Sequence, residues 1–217
     1  MIPLFAANIP KLASEKVSEI ISSGWINRGV KAKEFEQKFQ EKFGYKHALS
    51  VNSCTSALRL AYAIAGKNHG DEVITTPYTM VATNTAILEC GFKPVFADIK
   101  YETANIDPLD VETKITKRTK AIAIVHYGGY PCDRKEIYQI AEQHGLYVIE
   151  DCAQALGAKY REKPIGEDAT FACFSFQAVK HITTGDGGMF VTRNPQIHAE
   201  AKRRAWFGID KDVRVTS

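Results

Sequence analysis

Short, nearly continuous apolar runs alternate along this chain with longer stretches whose apolar residues recur every three or four positions. The short runs at 47–51, 72–76, 94–99, 120–126, 146–149, 169–173 and 189–191 read as seven buried strands. The longer stretches predict helices. Residues 9–22 place Leu12, Val17, Ile20 and Ile21 at helical spacing and stop before Gly24. Residues 31–43 carry Phe35, Phe39 and Phe43 four apart and end at Gly44, so this aromatic stripe is expected in the core. A helix follows Ser53–Ser56 through Leu58, Leu60, Ala61 and Ile64, and others are expected at 79–90, 108–115, 133–144 and 196–205. Strands alternating with such helices imply right-handed crossovers and a mainly parallel sheet of about seven strands covered on both faces. The expected architecture is a three-layer α/β/α sandwich. No repeat, low-complexity tract or linker interrupts the pattern, so residues 1–217 are expected to form one domain. After Trp206 the chain runs to Ser217 in a mixed polar and apolar tail with no predicted element.

Composition narrows the function classes. At 217 residues and 45% hydrophobic content the chain can bury one large core. The net charge is only +3, and Lys202-Arg203-Arg204 is its one basic cluster, which reads as a solvated helix end and not as a nucleic-acid footprint. The five cysteines, Cys54, Cys90, Cys132, Cys152 and Cys173, are scattered without a C-x-x-C pair, and no histidine pair has metal-site spacing. Reduced thiols and no metal are therefore expected. Met1-Ile2-Pro3-Leu4-Phe5 lacks the basic flank and apolar run of a signal peptide, and no segment could span a bilayer, so a cytoplasmic protein is expected.

The candidate chemistry centres on residues 174–188, between the last two strands. Lys180 lies there, followed by Gly185, Gly187 and Gly188, which permit tight turns and close backbone approach. A lysine becomes a nucleophile when its surroundings lower its pKa or when it is stored as an imine on an aldehyde cofactor; otherwise it is a solvated side chain. Ser53-Cys54-Thr55-Ser56 opens a helix directly after a strand, a turn that can hold a phosphate on free N–H groups or can serve merely as an N-cap. Asp151 ends an apolar strand. It is either a helix cap or a buried carboxylate in need of a cation, for which a protonated pyridine nitrogen would serve. In an open α/β sheet, ligands collect at the carboxyl ends of the strands. The turns at 53–56, 77–80, 126–129 and 150–154 should therefore face one crevice that the Lys180 loop could close.

The segments Asp71-Glu72-Val73-Ile74 through Asn84-Thr85-Ala86-Ile87, Gly91-Phe92-Lys93-Pro94-Val95-Phe96-Ala97-Asp98, Glu150-Asp151-Cys152-Ala153-Gln154-Ala155-Leu156-Gly157-Ala158 and Phe174-Ser175-Phe176-x-x-x-Lys180 resemble the DegT/DnrJ/EryC1/StrS sugar aminotransferases over nearly the whole chain. The resemblance implies a fold type I transaminase that uses pyridoxal 5′-phosphate to move an amino group from L-glutamate to a nucleotide-linked keto sugar, working as a homodimer in amino-sugar and surface-polysaccharide biosynthesis. It implies that Lys180 holds the cofactor as an imine, that Asp151 pairs with the pyridine nitrogen and that Gln154 contacts the ring-hydroxyl side. Thr55, Ser56 and Ser175 would hold the phosphate. Met80 stands where many relatives stack an aromatic residue on the ring. A branch of the family that removes a sugar hydroxyl has histidine at the imine position, whereas this chain has Lys180, which favours amino transfer.

The resemblance also implies a small C-terminal domain and a partner-subunit residue on the phosphate, neither of which falls within these residues. The chain is accordingly expected to be a large cofactor-binding domain, truncated at its C-terminus. A second reading follows from that length, a non-catalytic module that binds cofactor or pairs with another subunit. A nicotinamide-binding Rossmann domain is disfavoured because no G-x-G-x-x-G follows the first strand.

Overall fold

The computed structural model describes residues 5–66 and 68–209, so the N-terminal residues 1–4 and the tail 210–217 discussed above lie outside the described residues. The seven expected strands are present as β1 (His47–Val51), β2 (Glu72–Thr75), β3 (Lys93–Phe96), β4 (Thr119–Val125), β5 (Tyr147–Asp151), β8 (Phe171–Ser175) and β9 (Gly188–Thr192). A two-stranded hairpin, β6 (Lys159–Tyr160) with β7 (Lys163–Pro164), was not legible in the sequence: strands of two residues carry no periodicity. The large sheet has the order β1-β9-β8-β5-β4-β2-β3. Neighbours pair in parallel except β9, which is antiparallel to both β8 and β1. The carboxyl ends of β1, β2, β4, β5 and β8 therefore share one edge, as the crevice requires.

Alternation along each strand divides the core between two faces. In β8, Phe171 and Cys173 join one cluster while Ala172 and Phe174 join another; in β4, Ala121 and Ala123 face the first side and Ile122 and Ile124 the second. The first face is covered by α3 (Cys54–Ala65), α4 (Val81–Glu89) and α7 (Pro195–Arg204). The second is covered by α2 (Val30–Phe43), α5 (Pro108–Thr113) and α6 (Arg134–His144). Full burial of Phe171, Phe174 and Phe190 contributes about 1.5–3 kcal/mol each.

The aromatic stripe of α2 does more than fill space. Phe35 and Phe39 meet the ring of Phe176 at centroid distances of 5.2 and 5.7 Å, and Phe39 meets Phe174 at 5.6 Å. It thus clamps the strand end that leads into the Lys180 loop. By contrast α1 (Lys11–Ser22) forms where its periodicity predicts a helix but buries none of its residues, leaving Leu12, Val17 and Ile21 exposed. Among the described residues no helix is long and apolar enough to cross a membrane.

Candidate active site

Two adjacent acids close β5 and point to opposite faces. Glu150 lies on the α6 side and is fully buried. Its Oε1 accepts from Arg134 Nη2 at 2.7 Å, Arg134 Nε at 3.2 Å and the Tyr138 hydroxyl at 2.5 Å, while Oε2 faces His126 Nε2 at 2.9 Å. His126 Nδ1 accepts the Cys132 backbone N–H at 3.1 Å, so the imidazole proton sits on Nε2 and is donated to Glu150. Burial pushes the Glu150 carboxyl up, but the hydrogen bond from His126 and the Arg134 guanidinium overcome it and hold the group at about 2. Arg134 extends the network to Asp168 at 2.5 Å. One ligand atom each from His126, Glu150 and Cys152 lies within 4.8 Å of the others, yet both ring nitrogens and both carboxylate oxygens are already committed to protein partners.

Asp151 faces the α3 and α4 side and is 6% exposed. Thr83 on α4 donates its hydroxyl to Oδ2 at 2.8 Å; the Ala153 N–H reaches Oδ1 at 3.0 Å and the Cys54 thiol reaches the same oxygen at 3.8 Å. The residues directly after Asp151 form turns and not a helix, so the cap reading reduces to a turn closed on Ala153. Among the described residues no cation is ion-paired with it. A buried carboxylate held only by neutral donors is costly, and a bound cation would offset that cost.

The phosphate turn is built on the end of β1. Ser53 is the N-cap of α3, its Oγ accepting from the Ser56 N–H at 3.1 Å. The N–H groups of Cys54 and Thr55, in the first turn, have no helical acceptor and stand at the positive end of a 12-residue helix. The Thr55 hydroxyl makes no hydrogen bond among the described residues. The Ser56 hydroxyl donates to Asn52 Oδ1 at 2.6 Å and accepts from Ser53 at 3.1 Å, so it would have to turn from Asn52 to serve an anion.

Ser175 and Lys180 come to this turn through the backbone. Ser175 pairs in register with Gly188, and a Cβ on Gly188 would fall 2.4–2.6 Å from Ser53 C, Ser53 O and Cys54 N. Only glycine lets β9 pass so close to the α3 terminus. The Ser175 Oγ accepts from Gln177 N–H at 3.4 Å, while its own proton has no acceptor among the described residues. The Lys180 loop is pinched at its base by Phe176 N–H on Gly187 O, 2.9 Å. Among the described residues the Lys180 ammonium makes no hydrogen bond or ion pair. Its charge pulls the pKa of the buried Cys54 thiol down, against burial first and the Asp151 carboxylate second, which together hold that thiol well above its ordinary value. The thiol that touches Asp151 is thus the one that feels Lys180.

Of the remaining candidates, Gln154 anchors the β4 loop: its Oε1 accepts the Gly128 N–H at 2.7 Å. Met80 is the N-cap of α4 and is 64% exposed. Tyr78 and Tyr127, whose rings lie 4.6 Å apart, bridge the β2 and β4 loops. Sequence reasoning missed Thr83 and Cys54. The available signal was two threonines four apart, Thr79 and Thr83, spanning the start of a helix just after a strand.

The geometry defines a class: an α/β protein whose strand ends carry a helix terminus with free N–H groups, a buried carboxylate and a lysine, the last two without an ion pair among the described residues. Residues 8–216 match the model of the DegT/DnrJ/EryC1/StrS aminotransferase family, and the chain belongs to that family. It is 47% identical over 207 residues to the uncharacterized protein MJ1066 of Methanocaldococcus jannaschii, an alignment covering 94% of this chain and 54% of that protein. It is 40% identical to the GDP-perosamine synthase of Escherichia coli O157:H7, covering 91% and 54%. The solved PLP-form of Spr1654 from Streptococcus pneumoniae superposes with a TM-score of 0.88 at 31% identity, covering 93% and 57%. The chain spans about half the length of the curated relatives it matches.

Proposed function

We propose that this chain is the cofactor-binding part of a pyridoxal 5′-phosphate-dependent aminotransferase that moves an amino group from L-glutamate to a nucleotide-linked keto sugar in amino-sugar and polysaccharide biosynthesis. The single observation that carries the reading is Asp151, a buried carboxylate at the end of β5 with neutral donors only among the described residues, one of them the thiol of Cys54 in the first turn of α3. The residues fit the group. Thr55, Ser56, Ser175 and the free N–H groups of α3 would hold the phosphate, Asp151 would accept the pyridinium N–H, Gln154 would border the ring hydroxyl, Met80 would pack on the ring face and Lys180 would bind the aldehyde carbon. When bound, pyridoxal phosphate supplies an electron sink for the pair released as a C–H bond beside nitrogen breaks. Lys180, once free, carries that proton as general base and returns it as general acid. Asp151 keeps positive charge on the ring side of the site, and the packing of Phe35 and Phe39 on Phe176 holds the lysine loop in place.

Membership of a family that includes GDP-perosamine synthase supports a nucleotide-linked sugar as amino acceptor. The five free cysteines support a cytoplasmic setting. The exposed apolar side of α1 supports association, which we read as a homodimer testable by native mass measurement. Borohydride reduction of the chain with pyridoxal phosphate should fix the cofactor on Lys180 by peptide mass, and Lys180→Ala should abolish the adduct. An adduct on another lysine, or none, overturns the reading. The second reading is binding without turnover. Glutamate converts the bound cofactor to its amine form under the first reading and leaves it unchanged under the second.

A further inference from the structure

Asp151 is held by a chain of hydroxyls that no cofactor contact requires. Thr83 Oγ1 is fully buried and lies 2.8 Å from Asp151 Oδ2 and 3.0 Å from Thr79 Oγ1. A carboxylate only accepts, and a hydroxyl has one proton to give. The Thr83 proton therefore goes to Oδ2, and Thr79 must be the donor to Thr83. The proton order along the relay is thereby fixed: Thr79 to Thr83 to Asp151.

The lone pairs of Asp151 can be counted the same way. Oδ1 takes the Ala153 N–H and the Cys54 thiol, so both its acceptor positions are used; Oδ2 takes Thr83 alone and keeps one position open. The Cys54 thiol can donate because burial, the Asp151 carboxylate and the nearby buried cysteines keep it protonated.

We infer that Thr83, supported by Thr79, is a positioning residue that presents Asp151 Oδ2 to the cationic ring nitrogen and keeps the shared proton on the ring side. The inference rests on the cofactor reading above. A donor to a carboxylate lowers its proton affinity, so removing Thr83 from Oδ2 moves the proton toward Asp151 and frees the carboxylate to rotate. Hydrogen bonds to charged groups contribute more than neutral ones, and losing this one should weaken cofactor retention about tenfold.

The test loads the protein with pyridoxal phosphate labelled with 15N in the ring and records the nitrogen shift together with cofactor affinity. The native protein and Thr83→Ser should show a protonated nitrogen and equal affinity. Thr83→Val should show a shift toward the unprotonated value and about tenfold weaker binding. Thr79→Val, altered at the half-buried end of the relay and independent of whether Thr83→Val folds, should move both readouts the same way by less. Unchanged nitrogen shift and affinity in both valine variants overturns the inference while leaving the cofactor reading intact. So does a shift produced by Cys54→Ala and by neither of them, which would assign the ring to Oδ1. Failure of the native protein to bind the cofactor at all overturns both.

Discussion

Glu150 and Asp151 are neighbours on one strand and both buried, yet their surroundings are opposites. Glu150 is met by a guanidinium, an imidazole N–H and a phenol, every oxygen satisfied, with its carboxyl held down at about 2. Asp151, one residue on, is met by a hydroxyl, an amide and a thiol, and by no cation among the described residues. Burial alone therefore does not mark a functional acid. The first carboxylate has its counter-ion within the chain and fastens β5 to α6; under the proposed function the second is reserved for a bound cation. The period-two alternation of the strand puts the two acids on opposite faces, so the ionic network holds the strand end that presents Asp151.

Breaking the two acids separately should expose that division most strongly. Glu150→Ala leaves Arg134 buried without its main counter-ion, and urea or thermal unfolding should show a loss of about 3–5 kcal/mol. Asp151→Asn removes a charge that has no cationic partner among the described residues, so unfolding stability should stay within about 1 kcal/mol. Amination by the loaded enzyme should nevertheless fall on the order of 10²–10³-fold, as when a preorganised electrostatic contact is lost. The reverse pattern, an unstable Asp151→Asn and a stable Glu150→Ala, would dismantle the distinction.

Acid sharpens it further. The Glu150 carboxyl sits near 4.5 when free and at about 2 in the fold. Between those values the unfolded chain binds the proton and the folded chain does not, so stability falls as pH drops from 4.5 toward 2. The linked contribution is about 3 kcal/mol, fully present above pH 4.5. In Glu150→Gln the part of the acid-unfolding slope due to this group should vanish; an unchanged slope would mean that other carboxylates carry it.

Gly188→Ala comes next in size. The added methyl would meet backbone atoms of Ser53 and Cys54 at 2.4–2.6 Å, and backbone cannot swing aside as a side chain can. A loss of about 1–3 kcal/mol is expected, accompanied by weaker binding of pyridoxal phosphate and of inorganic phosphate as a competitor, because the α3 terminus must shift. Destabilisation without any change in phosphate binding would separate the turn from the site.

Most of this architecture was legible in the chain itself. Ala121 to Val125 in β4, Phe171 to Phe174 in β8 and Met189 to Val191 in β9 are unbroken apolar runs because the sheet is covered on both faces, and helices α2 and α6 stop at Gly44 and Gly145, both left-handed caps. The turns bearing Thr55, Met80, Asp151 and Lys180 follow from strand order alone. What escaped were contacts between distant segments. Thr83 with Asp151, Cys54 with Asp151 and Arg134 with Glu150 and Asp168 join residues that no local period relates. Boundaries shifted for local reasons: the 79–90 helix begins at Val81 because Met80 is extended, and β3 ends at Phe96, with Ile99 retained only in an isolated bridge to Ile106.

Met80 marks the outer limit of the functional side and offers the smallest effect. At 64% exposure its side chain contributes little to the core, so Met80→Phe should change unfolding stability by less than about 0.5 kcal/mol. If residue 80 covers the ring face, phenylalanine gains an aromatic contact of roughly 0.5–1.5 kcal/mol beyond area burial. Cofactor affinity should then rise about two- to tenfold, with a displaced absorbance band, while Met80→Ala should lower it. A thioether can itself pack on a π face, so the gain should be smaller than the loss in alanine. Equal affinities in all three proteins would confine the cofactor contacts to the buried half of the crevice, where Asp151, Ser175 and the α3 terminus meet, and would leave position 80 to the sugar or to solvent.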